Sequence, residues 1–250
     1  MTTEGSSSLL PRLGLECCAA TLSALSVAPF ISIVDKAIVS NASGLEPLVP
    51  CLLNGLRSLA SSPLAFASQP SFLLIWGVYS GTYCAANSIS AMCEHAGRDA
   101  TYPKLLGSSA TNVSLSVLKD KAFAKMFKAE GSPPVMEVPK VSYALWAMRD
   151  SMTVFASFTL PPILHKRFGM DETAAQLTAP CGMQLFSTPL HLYGLDRFNR
   201  KEATQGERMA FIGREYFKTA AARIGRIFPA FGVGGVINKR LREEVKKACE

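Results

Sequence analysis

Two long stretches without a formal charge dominate this sequence. No Asp, Glu, Lys or Arg occurs in residues 58–93, a run of 36, or in residues 173–195, a run of 23. A helix needs roughly 20 apolar residues to cross a bilayer. Charged residues make up 18% of the chain, against about 25% in a typical soluble domain. The sequence therefore predicts an all-α membrane protein.

Six apolar segments are predicted to form transmembrane helices. They cover 13–34, 71–93, 103–119, 141–164, 173–195 and 220–238. Several are rich in Ser, Thr, Asn and Gly, which fits helices packed around a polar interior better than isolated anchors in lipid. Two further stretches, 45–62 and 206–224, have the pattern of amphipathic helices that lie on a membrane surface.

A short acidic–basic dipeptide recurs about every 80 residues, each time just past an apolar stretch. The three copies are Asp35-Lys36, Asp120-Lys121 and Asp196-Arg197. Self-similarity at a fixed period is typical of an internally repeated fold. The chain is therefore predicted to be one membrane domain, 1–250, made of three pseudo-repeats of two helices each. The repeats lie near 10–100, 101–170 and 171–250.

This arrangement resembles the mitochondrial carrier family over nearly the whole chain. In that family each odd-numbered helix carries a proline followed by an acidic and a basic residue, and these charges form salt bridges that close the matrix side. Pro29 and Pro189 precede their charged pairs by six and seven residues, with Ser114 in the middle place. The family's basic position falls five residues after the proline, and Lys119 fits it.

The resemblance implies three further expectations. The protein would be a multi-pass protein of the mitochondrial inner membrane, its three charged pairs would form an inner-side gate, and Pro29 and Pro189 would kink their helices. Lys and Arg are concentrated after the first, third and fifth segments, so these connections should face the positive-inside compartment, with both termini opposite. The net charge of +7 makes anionic lipid such as cardiolipin an expected partner, and nucleic acid is not expected.

Polar side chains inside the apolar segments are candidates for substrate binding, because such groups are costly in a bilayer. They are Arg149, Asp150, Asn87, Asn112, Gln184 and His191. Arg149 fits two roles equally well: it binds an anionic metabolite in a central cavity, or it forms an ion pair between helices. Glu16 is a potential partner of Arg149, or an acid at the membrane surface. The uncharged candidates more often form hydrogen bonds between helices.

The sequence lacks the patterns expected of an enzyme. No catalytic triad or phosphate-binding loop is present, and the three histidines are not at metal-ligand spacing. No enzymatic activity, cofactor or metal is expected. Two functions stay open: a transporter that moves a small anionic metabolite by alternating access, or a non-transporting accessory subunit of a large respiratory or ATP-synthase assembly. A side-chain-filled interior would favour the second.

Overall fold

The computed structural model of the chain describes residues 9–128 and 137–249. These residues form helices and contain no β-strand, so the predicted all-α fold is confirmed. The helices are α1 (Leu9–Ser43), α2 (Leu48–Ser61), α3 (Pro63–Ala67), α4 (Pro70–His95), α5 (Thr101–Met126), α6 (Lys140–Phe158), α7 (Leu160–Phe168), α8 (Glu172–Asn199), α9 (Gln205–Gly225) and α10 (Gly235–Cys249). A π-helical turn, Phe228–Gly234, lies between α9 and α10.

Most of the predicted apolar segments lie within single helices, namely α1, α4, α5 and α8. The fourth segment, 141–164, is divided between α6 and α7 after Phe158. Pro161 lies in the first turn of α7, where a residue without an amide N–H is tolerated. The amphipathic stretches at 45–62 and 206–224 are helical, as α2 and α9. Among the described helices, α1 is the one with the length and apolarity of a membrane span, so six crossings stay a prediction.

The sixth predicted segment, 220–238, is wrong as a single helix. Its first residues end α9, and the remainder forms the π-helical turn and the start of α10. The part of the chain that follows α9 runs antiparallel to α1, because Arg226 binds Asp35 and Arg242 binds Glu16. Gly234 allows close packing there, since a Cβ at this position would collide with side chains of α1 and α4.

The helices form a bundle organised around α1. This helix packs along α4, the π-helical turn and α10, and it also contacts α5 and α8. α4 packs on α5, α5 on α6, and α6 on α8. The shared hydrophobic core takes residues from α1, α4, α5, α6 and α8, including Val27, Ile31, Ile75, Phe123, Trp146 and Leu192.

The distribution of polar and apolar side chains differs from that of a typical soluble protein. Large apolar residues are exposed on the outside of the bundle, among them Leu22, Leu25, Phe30, Leu73, Leu118, Phe155 and Phe186. Charged residues lie inside, and several of them are less than one-tenth exposed. Soluble proteins rarely bury charges or expose broad apolar surfaces. This distribution suits a bundle surrounded by lipid.

Candidate functional site: a buried cluster of paired charges

Six charged side chains meet where α1, α5 and α6 approach one another. They are Asp35 on α1, Lys119 and Asp120 on α5, Arg149 and Asp150 on α6, and Arg226 just after α9. We call this set the core charge cluster. Its three carboxylates balance its three cations, so its formal net charge is zero. All six side chains are buried or nearly so, with Arg226 the most exposed at 15%.

Lys119 joins α1 to α5. Its Nζ lies 2.8 Å from Asp35 Oδ2 and 2.6 Å from Asp120 Oδ1. The second oxygen of Asp35 accepts a hydrogen bond from Arg226 Nη1 at 2.5 Å. Asp35 therefore connects the middle of the chain to its C-terminal segment, and three parts of the sequence are held at one level of the bundle.

Arg149 joins α5 to α6 and to α8. Its Nη2 lies 2.6 Å from Asp120 Oδ2, and its Nε and Nη2 donate to the two oxygens of Asp150 at 3.0 and 2.6 Å. Its Nη1 is 2.7 Å from His191 Nδ1. A guanidinium only donates, so this nitrogen of His191 must be the acceptor, with the ring proton on Nε2. Arg149 is thus occupied by two carboxylates and a histidine, which matches the predicted ion pair between helices.

The cluster stabilises the bundle as a unit. Moving an ion out of water costs several kcal/mol, and this cost is offset only when geometry and hydrogen bonding are nearly complete. Each carboxylate of the cluster has a cation within 3.0 Å. Loss of one partner from such a pair typically costs about 3–5 kcal/mol, because the other charge remains buried.

The structure brings together two of the three acids of the predicted gate. Asp35 and Asp120 share Lys119. Asp196 forms a separate group between α8 and α9, where it binds Arg208 at 2.6 Å and Arg200 at 2.5 Å. The three acid–base pairs therefore do not form a single gate of equivalent members.

The basic members of the predicted gate point away from the acids that precede them. Neighbouring residues on an α-helix project about 100° apart. Lys36 Nζ lies 5.6 Å from the ring centroid of Phe127, and Lys121 Nζ lies 6.0 Å from that of Tyr143. Arg197 borders a surface cavity of about 420 Å³ beside Lys140 and Lys201.

A second group of charges lies at the other end of α1. Arg242 Nε binds Glu16 Oε2 at 2.9 Å, and Glu94 binds Arg12 and Lys246. Glu16 is fully buried. It lies 19 residues before Asp35, about 28 Å along the helix at 1.5 Å per residue. The prediction that Glu16 partners Arg149 is therefore wrong, because that distance separates Glu16 from the core charge cluster.

The uncharged candidates are spread over several levels of the bundle. Asn87 is at the Glu16 end, where it exchanges hydrogen bonds of 3.0 Å with Asn238. Asn112 donates to Thr82 Oγ1 at 3.2 Å. Arg149, Asn87 and Gln184 are each at most 2% exposed, and they do not line one cavity in the part of the chain that the structure describes. Neighbouring side chains pack closely around each of these three residues.

Both predicted kink prolines lie inside helices, Pro29 in α1 and Pro189 in α8. A proline has no N–H for the carbonyl four residues earlier. For Pro189 that carbonyl belongs to Leu185, and the Tyr216 hydroxyl donates to it at 2.9 Å. The proline of α8 thus provides an attachment point for α9.

Sequence reasoning missed two cations in and beside the core charge cluster, Arg226 and Arg223. Both are charges inside the predicted segment 220–238, the same signal that singled out Arg149. Lys119 was also recognisable, because it lies at the basic position of the repeat. The acidic partner of Arg226 could not be read from the sequence, because Asp35 lies 191 residues earlier in the chain.

An all-helical bundle with apolar residues outside and a balanced set of buried charges has the features of a membrane transport protein. Residues 19–246 match the family described as probable citrulline exporter, and the chain belongs to that family. No curated protein and no solved structure matches the chain.

The resemblance to the mitochondrial carrier family is therefore wrong. It depended on three adjacent acid–base pairs, and in the structure none of these pairs is formed between its two neighbours. Asp35 and Asp120 take partners from other helices, and Asp196 takes its partners from the region around α9. The mitochondrial inner-membrane placement rested on the same resemblance and loses its support with it.

Proposed function

We propose that this protein transports citrulline, or an amino acid with a similar neutral, polar side chain, across a membrane. The family description supports the substrate. The observation that carries the transport role is the core charge cluster, because ionised groups inside a membrane bundle are expensive and usually mark a substrate or ion pathway. Citrulline replaces the anionic metabolite expected from the sequence.

The two charge groups suggest how the pathway is closed. The core charge cluster ties α1, α5 and α6 together at one level, and the group around Glu16 ties α1, α4 and α10 together at another. They are separated by about 28 Å of α1. Alternating access requires that one end opens while the other stays closed, and ion pairs can be broken and remade during such a cycle.

Uptake by reconstituted vesicles tests the proposal. Purified protein in liposomes loaded with citrulline should exchange it for labelled external citrulline, with saturation. Lys119→Met breaks the core charge cluster and should abolish exchange. Lys125→Met, the same change at an exposed position of α5, is the matched control and should retain it. Folded wild-type protein that gives no exchange above protein-free vesicles would refute the proposal.

The close packing around Arg149, Asn87 and Gln184 favours a second candidate, a membrane protein that has a structural role and does not transport. In that case both lysine variants should behave alike in the exchange assay, at the background level. Lys119→Met should then differ from the control in thermal stability alone. Exchange and melting temperature measured on the same preparations therefore separate the two candidates.

A further inference from the structure

Arg223, at the end of α9, is a buried cation without a carboxylate partner among the described residues. The residue is 1% exposed. Its Nη2 donates to Ser187 Oγ on α8 at 3.1 Å, and its Nε has no hydrogen-bond partner in the described part of the chain. A buried guanidinium with one neutral partner is unusual, because burying an ion is tolerated when the ion is paired.

The surrounding charges do not compensate Arg223. Arg226 and Arg149 repel it, while Asp150 and Asp35 attract it. All four belong to the core charge cluster, where the acids are already matched by bases. Adding Arg223 to this balanced set leaves one excess positive charge in this part of the interior. A single bound carboxylate would neutralise that charge.

Two neutral groups near Arg223 also have unused hydrogen-bonding capacity. Gln184 is fully buried, and its Nε2 donates to Pro180 O, but its Oε1 has no partner among the described residues. Gln184 and Ser187 are three residues apart on α8, so they share a face of the helix. Thr219 precedes Arg223 by one turn of α9, and its buried hydroxyl is likewise unpartnered within the described structure.

We propose that Arg223, Gln184 and Thr219 form a subsite between α8 and α9 that binds the main-chain end of an amino acid. The three side chains are buried in this arrangement of the helices, and the subsite opens to substrate when the helices separate during alternating access. Arg223 and the Thr219 hydroxyl donate to the carboxylate, and Gln184 Oε1 accepts from the ammonium group. This inference rests on the proposed transport of an amino acid. The site then recognises the group common to all amino acids, and selectivity for the side chain arises elsewhere.

The chemistry of these side chains predicts a clear preference. Guanidinium–carboxylate pairs are strong and directional, and hydrogen bonds to charged groups are stronger than those between neutral groups. Replacing the substrate carboxylate by a carboxamide should therefore weaken binding by at least about tenfold. Acetylating the amine removes the positive charge opposite Gln184 and should weaken binding as well.

The test compares Arg223→Gln with Arg214→Gln, the same change at an exposed position of α9. Citrulline, alanine and arginine are each compared with the analogue whose main-chain carboxylate is replaced by a carboxamide. Binding is measured by the shift in melting temperature of detergent-solubilised protein and by competition for uptake. Wild type and Arg214→Gln should prefer an acid over its amide. Arg223→Gln should lose this preference, yet melt at or above the wild-type temperature without ligand, because an unpaired buried charge has been removed.

The outcomes separate the subsite from the proposed function. If wild type prefers alanine or arginine over its amide, Arg223→Gln loses that preference, and wild type does not respond to citrulline, the subsite is supported and the citrulline assignment fails. If wild type transports citrulline and Arg223→Gln keeps the acid preference, the subsite is overturned and transport stands. No acid preference in wild type for any pair, or a marked loss of ligand-free stability in Arg223→Gln, also overturns the subsite.

Discussion

Lys119 and Asp120 allow the core charge cluster to be dismantled in a controlled way. Lys119→Met alone removes the lysine that Asp35 and Asp120 share, and leaves one negative charge in excess. Asp120→Asn alone leaves Lys119 and Arg149 with one carboxylate fewer, and one positive charge in excess. Since breaking one side of a buried pair costs about 3–5 kcal/mol, each single variant should lose about 3 kcal/mol of unfolding free energy.

The double variant should be much less destabilised than the sum of the two. It leaves two complete pairs, Asp35 with Arg226 and Arg149 with Asp150, and restores zero net charge. Independent effects would add to about 6 kcal/mol, whereas we expect a loss near 3 kcal/mol and a coupling energy of at least about 2 kcal/mol. The unfolding free energies of wild type, the two single variants and the double variant are measured by reversible unfolding in mixed detergent micelles. Single losses that add within about 0.5 kcal/mol would refute the cluster as a coupled unit.

Three predictions concern residues of α2 and α9 that belong neither to the core charge cluster nor to the proposed subsite. Burial raises the pKa of Glu215, but hydrogen bonds from Lys218 and Asn41 outweigh it and hold that pKa below the ordinary 4.5. Its contribution to stability is therefore present above pH 4.5 and lost as the pH falls through the folded pKa, and Glu215→Gln should flatten the melting temperature profile over that acidic range; an unchanged profile would contradict this. Thr204→Ala removes the side-chain cap of α9 and should cost about 1 kcal/mol of unfolding free energy, while Thr204→Ser should not. Burial raises the pKa of Cys51 to about 11, so alkylation at pH 8 should leave it unmodified until the protein unfolds, and rapid labelling of the native protein would oppose this.

The sequence predicted the helices well where a long apolar stretch alone determined the secondary structure. The uncharged segments 71–93 and 173–195 lie within α4 and α8, because an apolar stretch of that length has few alternatives to a helix. The break between α6 and α7 was also visible in principle, at Pro161 and Pro162. The prediction of a single helix over the sixth segment was wrong because it rested on apolarity alone. It took no account of Arg223 and Arg226, whose charges are accommodated inside the bundle.

The candidate site could be predicted only in part, because a charge pattern does not state its partners. Asp35, Asp120, Arg149 and Asp150 were singled out and do meet in the structure. The residue that joins them, Lys119, was recognised only as a fragment of a family motif. Ion pairs between distant helices depend on packing. Adjacent residues on one helix project about 100° apart, so a dipeptide pattern alone does not say which partner each residue meets.

The position of Glu94 has a practical consequence. It binds Arg12, near the start of α1, and Lys246, near the end of α10, so the two extremities of the described bundle lie side by side. Complementary halves of a split fluorescent reporter fused before α1 and after α10 would meet within one molecule. Their signal would report the integrity of the bundle without modifying a single residue of its interior.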